Sequence, residues 1–257
     1  MAVGKAMSGI PMKRARPARR VSKAHEPGLM KKPSGATRRT EVGRADLKRK
    51  REAGSDSTDR NYADISSFWC EVRDTWYTKV SKHWNSEEAS IRGVLGGLPE
   101  THGPDVRESS RFLKHLKKST GPPGFTAVLD CGAGVGRVTR GLLSKFFKEV
   151  DLVEPNKRLL DTARRELKGL GVARFFCSSL QRFKPAANRY DVIWIQWVFL
   201  HLKDDDIVEF LRRCGKCLKS GGMICIKDNV VLKGGWYVDR SDLSIARADL
   251  SPHGLSV

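Results

Sequence analysis

Nowhere in the 257-residue chain do about 18 apolar residues run together, the length a bilayer-spanning helix requires, so no membrane span is predicted. No secretory signal is expected, and the chain carries six cysteines. Together these point to a reducing compartment. Cys214 and Cys217 form a lone CxxC in "EFLRRCGKCLKSGG" with no second pair at zinc-ribbon spacing. They read as packing residues near a helix end, and no metal site is expected. Acidic residues are scarce: 29 Asp+Glu against 48 Lys+Arg leave a formal charge of +19, and the first acid is Glu26. There is no internal repeat.

What is present is unevenly distributed. Residues 1–60 hold 17 Lys+Arg against 6 Asp+Glu, more than half the positive excess in a quarter of the chain. That quarter lacks apolar periodicity and is rich in Pro, Gly, Ser and Ala. It cannot bury enough surface to offset chain entropy, so 1–60 is predicted to be a disordered basic tail and 61–257 the folded domain. The "KRKR" run at 48–51 has the composition read by nuclear import machinery and could touch nucleic acid through phosphates. Nucleus and cytoplasm are the expected locations, with a mitochondrial presequence the runner-up because the tail is arginine-rich and acid-poor at its start.

From about residue 62 the pattern becomes globular, and 39% hydrophobic residues suffice for a sizeable core. Ile65, Phe68, Trp69, Val72, Trp76, Val80 and Trp84 recur three or four apart, predicting one helical face over 62–84. A glycine-rich connection leads to a helix over 105–118 with Val106, Phe112, Leu113 and Leu116 turned inward. Strands at 126–131, 149–154, 190–196 and 221–228, with "VARFFCS" (172–178) between, alternate with helices at 137–147, 157–168 and 204–219. Strands apolar on both faces, each followed by a helix, predict an α/β fold: an open, doubly wound, Rossmann-like parallel sheet.

Ligands in such sheets bind beyond the carboxyl ends of the strands. The first strand ends in "LDCGAGVGR", with Gly132, Gly134 and Gly136 spaced GxGxG and Asp130 two residues before the first of them. Glu154 closes the second strand, where a carboxylate can accept both hydroxyls of a ribose, whether of a nicotinamide or an adenosyl cofactor. Arg137 at the helix opening suits the carboxylate of a methionyl group. "SSLQRF" brings Leu180 and Gln181 to the third strand end, where they could lie against an adenine. Gln196, Trp197 and His201 stand at the fourth. Taken together these features favour S-adenosylmethionine over a dinucleotide.

With those residues in hand, the chain resembles the protein N-terminal methyltransferases, which methylate the α-amino group of proteins beginning Xaa-Pro-Lys, within the larger class I methyltransferase superfamily. The likeness runs from about residue 77 to 247 and rests on "LGG" (95–97), "SSRFL" (109–113), "LDCGAGVGR", "EVDLVE", "LQRF", "YDVIWIQWV", "EFLRRC" and "IKDN". It implies cofactor contacts from Gly132, Arg137, Glu154, Pro155, Asn156, Leu180, Gln181 and Gln196. For a peptide it implies an acidic, aromatic channel of Trp84, Trp197, Asn229, Asp239, Asp242 and Ser244, with Asp242 and His201 as candidates to accept the amine proton. Members usually carry Asp where this chain has Glu154, a longer arm that still reaches a ribose. The implied partners are N-terminal segments of protein substrates, with nucleic acid met only through the basic tail.

The resemblance also implies a helix and two further strands beyond Arg247, where this chain runs "ADLSPHGLSV". A class I sheet lacking its last two strands is therefore expected, with apolar surface uncovered beside the fifth. Rival functions are a nucleic-acid methyltransferase, motivated by the basic tail, a small-molecule methyltransferase, and a non-catalytic member that binds the cofactor without turnover. Against the first, no Asn-Pro-Pro-Tyr motif is present and the acidic segment 239–242 would repel phosphates. Fused to a fluorescent protein, residues 1–60 are expected to give nuclear accumulation. A diffuse signal in imaging would remove both targeting assignments.

Overall fold

The computed structural model describes residues 52–119, 121, 123–232 and 234–248. The basic run at 48–51, nearly all of the tail, and the segment 249–257 lie outside the described residues. Chain order begins with strands β1 (Gly54–Asp56) and β2 (Asn61–Tyr62), helices α1 (Ile65–Val72), α2 (Trp76–Ser86) and α3 (Ile91–Val94), and a 3-10 turn at Pro99–Thr101 leading into α4 (His102–Lys118). There follow β3 (Ala127–Cys131), α5 (Arg137–Gly141), β4 (Glu149–Val153), α6 (Lys157–Glu166), β5 (Val172–Phe176), β6 (Tyr190–Gln196), α7 (Asp204–Cys217) and β7 (Leu218–Lys227). Strands β8 (Val230–Val231), β9 (Trp236–Asp239) and β10 (Ser244–Ala248) close the described chain.

The expected doubly wound sheet is present. Its order is β5-β4-β3-β6-β7, with every neighbouring pair parallel. Among the described residues it has five strands, and β7 is an edge. Successive side chains of a strand face opposite ways, so each strand feeds two cores. Val128, Val150, Leu152, Val192 and Trp194 pack against Leu113 and Leu116 of α4 and Ala163 of α6. Leu129, Val153, Ile193 and Ile195 pack against Ile207, Phe210, Leu211 and Cys214 of α7. The CxxC cysteines are thus packing residues: both are buried, free thiols, and burial raises both thiol pKa values.

A second sheet, β2-β1-β9-β10-β8, stands beside the first. Its inner face holds Tyr62, Trp236, Val238 and Ile245, and Phe68, Trp69, Val72 and Trp76 of α1 and α2 pack on it. This corrects the tail boundary, because β1 lies within 1–60 and pairs in parallel with β9 over Gly54↔Trp236, Ser55↔Tyr237 and Asp56↔Val238. Three residues are too short a strand to show alternation. The order comes instead from side chains, above all the carboxylate of Asp56.

Three other expectations shift. The helix predicted over 62–84 is two helices, α1 and α2. Trp69 Nε1 donates to Asp204 Oδ2 at 2.9 Å and Trp76 Nε1 to the His201 carbonyl at 2.8 Å. The chain turns between them so that both indoles reach acceptors at and just before the start of α7, since a buried N–H without a partner is costly. α4 starts at His102 rather than 105, with Pro104 in its first turn, where a missing N–H costs nothing. The helix predicted over 137–147 is only the five residues of α5 followed by a 3-10 turn at Leu143–Lys145.

Candidate active site

The carboxyl ends of β3, β4 and β6 converge on the glycine loop. Gly132 has φ +66°, and a Cβ there would lie 2.6 Å from Val198 Cγ2. At Gly136, φ +76°, a Cβ would come within 2.6 Å of Leu167 Cδ1. Glycine at 132 lets the loop turn beneath the 197–199 segment, and glycine at 136 lets it meet the end of α6. Glu154 reaches back over this turn. Its Oε2 accepts from Gly134 N at 2.9 Å and its Oε1 from Asn156 N at 2.8 Å. Burial pushes its carboxyl up to about 7, against the two backbone donors. Asp130 is also buried and raised, to about 6, while accepting a 2.6 Å bond from Thr139 Oγ1.

Asn156 caps α6, accepting from Arg158 N and Leu159 N. Its amide donates to the Trp84 carbonyl and Asn85 Oδ1, which ties α2 to the end of β4. The Pro155 carbonyl accepts from Cys177 Sγ at the end of β5. Leu180 is buried among the α7-side core residues. Its backbone carbonyl and that of Gln181 accept from Arg213.

The centre of the site is a residue the sequence pattern does not single out, Asp105. Its carboxylate takes Arg137 Nη1 at 2.5 Å, Gln196 Nε2 at 2.8 and 2.9 Å, and Lys227 Nζ at 2.7 Å. Burial opposes its ionisation, but Arg137 and Lys227 win and hold its pKa below the usual carboxylate value. Arg137 is accordingly not a solvated first-turn arginine. It is buried, and its guanidinium also lies 5.0 Å from the centre of the Trp197 ring. Lys227, equally unflagged by sequence, bonds Glu108 and Ser109 of α4 as well. An aspartate in the first turn of a helix ordinarily reads as a dipole-favourable surface acid. Only its tertiary partners mark it out.

Across from the glycine loop lies an aromatic corner. Trp84 packs edge-on to His201, with ring centres 5.4 Å apart. His201 Nδ1 is 2.9 Å from the Leu243 carbonyl. A carbonyl can only accept, so Nδ1 carries the hydrogen and Nε2 is the basic nitrogen. Burial lowers this imidazole to about 4. Leu243 sits between Asp242 and Ser244, so the same bond brings the β9–β10 hairpin to the site. Asp242 is raised by burial and next by neighbouring Asp239, while bonds to Ser244 hold it down. Trp197 has a backbone φ of +54°, a conformation costing roughly 1–2 kcal/mol for a residue with a side chain. Its buried Nε1–H has no acceptor among the described residues. Asn229 is half-buried, and its backbone N–H donates to Asp228 Oδ1. Asp228, raised by burial to about 7, also accepts from Leu200 N.

A parallel sheet with a glycine loop at one strand end and an acid at the next is the frame of a doubly wound nucleoside-binding fold, the one that class I methyltransferases share with dinucleotide enzymes. The residues fit a nucleoside cofactor: glycines at 132, 134 and 136 bare the loop backbone, and the Glu154 carboxylate stands over it from the next strand end. The family model described as AdoMet dependent proline di-methyltransferase matches residues 72–253, and this chain belongs to that family of S-adenosylmethionine-dependent methyltransferases. It is 39% identical over 214 residues to the alpha N-terminal protein methyltransferase 1 of Arabidopsis thaliana, covering 76% of this chain and 77% of that protein. It is 43% identical over 183 residues to the N-terminal Xaa-Pro-Lys N-methyltransferase 1 of Danio rerio, covering 69% and 82%. Among solved structures, a SAM-dependent methyltransferase of Leishmania major superposes with a TM-score of 0.72 at 34% identity, covering 78% of this chain and 82% of that one.

Two outcomes follow from the geometry. Gly132→Val places a branched side chain against Val198 at a φ that L-residues disfavour. Calorimetry is expected to show cofactor binding lost while circular dichroism reports a folded protein, and an unchanged affinity would refute the role of the loop. Glu154 has its folded pKa above its ordinary 4.5. Its contribution to stability is therefore full below about pH 4.5 and is lost as pH rises through about 7. Cofactor binding has the opposite sign, because hydroxyl donors favour the carboxylate. Affinity should rise about tenfold from pH 6 to pH 8, the gain for freeing one proton at a pKa near 7. Glu154→Gln should abolish that component of the pH dependence in calorimetric titrations.

Proposed function

We propose that this chain methylates the α-amino group of protein N-termini of the Xaa-Pro-Lys/Arg type, with its basic 48–51 run supporting residence in nucleus and cytoplasm. The observation that carries the proposal is the His201 Nδ1 bond to the Leu243 carbonyl. It sets a hairpin bearing Asp239 and Asp242 against the aromatic corner of Trp84 and His201. A peptide beginning with a small residue and proline offers an apolar ring to such aromatics. A lysine or arginine at its third position suits carboxylates. The unpaired Trp197 Nε1–H supports the same reading, as a donor for a main-chain carbonyl.

S-adenosylmethionine, when bound, supplies a methyl group activated by a positively charged sulfur. Gly132, Glu154 and Gln196, with the Arg137–Asp105 pair behind them, would orient it. Leu180 and Gln181 would flank its base, and Pro155 and Asn156 would fix the edge beside the ribose. The chemistry left to the protein concerns the amine, which must present a free lone pair. An α-amino group has an ordinary pKa of about 7.7–8.0, so a nearby carboxylate or imidazole suffices to take its proton. Asp242 is the better matched acceptor, because burial and Asp239 raise it, whereas His201 is lowered to about 4. His201 Nε2 is then best suited to accept a hydrogen bond that aligns the amine. Trp84, Trp197, Asn229 and Ser244 would line the channel, and Asp239 would meet the basic side chain. Much of the rate would come from this alignment, which turns a two-body encounter into a fixed geometry.

Incubation of purified protein with a Xaa-Pro-Lys-Arg peptide and the cofactor, followed by mass spectrometry, is expected to show 14-dalton steps on the N-terminal residue, and RNA should take up no labelled methyl. Asp242→Asn should lower kcat by about 10²–10⁴-fold, the range for losing a general base, with cofactor affinity unchanged by calorimetry. Turnover at the wild-type rate in that variant would refute the assignment of the base.

A further inference from the structure

The strand pair β1–β2 lies outside the family-matched span 72–253, yet it grips the hairpin that carries the substrate-side acids at both ends of β9. At the start, Gly235 N donates to Glu52 Oε2 and Trp236 Nε1 to the Glu52 carbonyl, both at 3.0 Å. At the end, Ser57 N donates to the Val238 carbonyl at 2.9 Å, and Arg240 N donates to Ser57 Oγ at 3.0 Å. Between them is a knot centred on Asp56. Its buried carboxylate accepts from Thr58 N and Oγ1, Arg60 N, Tyr62 OH and Arg240 Nε, the last at 2.5 Å. Arg240 Nη2 donates also to Tyr62 OH at 2.6 Å, and its guanidinium lies 5.8 Å from the centre of the Phe68 ring.

The place of Arg240 in the chain makes this knot informative. In "DRSD" (239–242) it is a full positive charge one residue from Asp239 and two from Asp242. Those carboxylates are close enough for Asp239 to raise Asp242. A free arginine there would pair with one or both and compete with the basic side chain of a peptide. Instead the guanidinium is drawn to the inner face of the second sheet, where Asp56 and Tyr62 take its donors.

We infer that Asp56 is a positioning residue for substrate recognition: by holding Arg240 on the β1 side of the hairpin it keeps Asp239 open for the cationic side chain of an N-terminal peptide and Asp242 free to take the amine proton. This rests on the substrate-side role given to those two acids above. The N-terminal strand is thereby part of the specificity apparatus although it touches no substrate.

The test compares steady-state constants for a Xaa-Pro-Lys-Arg peptide. Asp56→Asn should raise the peptide KM about tenfold, as expected for losing one charge-assisted contact to the substrate, and lower kcat to the extent that Arg240 also pairs with Asp242, while the cofactor Kd stays within about twofold. Asp56→Asn/Arg240→Gln, which has no arginine to release, should return KM to within about threefold of wild type. A purely structural knot predicts the reverse, a double variant as impaired as the single one or worse, and that result would overturn the inference. Tyr62→Phe removes one of the two acceptors of Arg240 and should shift KM in the same direction by less, which keeps the test usable if Asp56→Asn does not fold. If wild-type protein leaves the peptide unmethylated, the proposed function fails rather than the knot. The knot retains its own readout, a crystal structure of Asp56→Asn: Arg240 within 4 Å of Asp239 or Asp242, the distance that counts as an ion pair, supports it, and Arg240 still on Tyr62 overturns it.

Discussion

One carboxylate, that of Asp105, holds three separately built parts of the site in register. Arg137 opens α5 after the glycine loop, Gln196 ends β6 and Lys227 ends β7, and all three donate to it. Parallel strands define their carboxyl ends only approximately, because the loops beyond them have no ladder to fix them. A shared acceptor with bonds of 2.5–2.9 Å converts three loop positions into one rigid group. The consequence runs outward: Gln196 in turn accepts from Trp194 Nε1 at 3.0 Å, and the Arg137 guanidinium lies against the Trp197 ring. The glycine-loop edge and the aromatic edge of the site are therefore set by the same ion cluster.

Such a cluster is not cheap to bury. Desolvating three charges costs several kcal/mol each, and attraction between them offsets this only when hydrogen bonds are well made. Here Lys227 also binds Glu108 and Ser109, so its remaining donors have acceptors. An apolar substitute of equal volume could give equal or greater stability, and the cluster is better understood as geometry than as stabilisation. Removing one member would leave a buried charge without its partner, a loss of about 3–5 kcal/mol in comparable cases. The fold can carry this because the two cores on either side of the sheet are continuous and apolar. The strain of Trp197 at φ +54° belongs to the same account, since backbone outliers persist where surrounding contacts fix them.

Much of this was legible in residue order alone. The strands of the first sheet are continuous apolar runs, and such runs announce a parallel sheet whatever the details of packing. That the glycine loop and Glu154 stand together was legible, because successive parallel strands bring their carboxyl ends to one side of the sheet. Asp105 and Lys227 were not, since their meaning lies in partners, Gln196 for the first and Asp105 for the second, that are 91 and 122 positions away and that no local pattern encodes. The break between α1 and α2 was hidden for a related reason. Phe68, Trp69 and Trp76 keep helical spacing across it, and only the acceptors at His201 and Asp204 require the turn. β1 escaped notice because Gly-Ser-Asp has the composition of a loop, and its pairing with β9 spans the whole length of the domain.

The charge of the chain, +19 overall, stands against a site read as acidic, and the second sheet resolves the conflict. Neighbouring residues on a strand point to opposite faces. On β10, Ile245 and Arg247 share one face, Ser244 and Ala246 the other. Arg247 is drawn to Asp204 and to the carbonyls of Phe199 and Leu202, and Arg240 to Asp56 and Tyr62. Both arginines of the hairpin are thus spent on inward acceptors. The local potential at its acids is set by which face each side chain takes, more than by the net count, because at physiological salt charges more than about 8 Å apart are largely screened in solvent. A strongly basic protein can in this way present a negative mouth to a basic peptide.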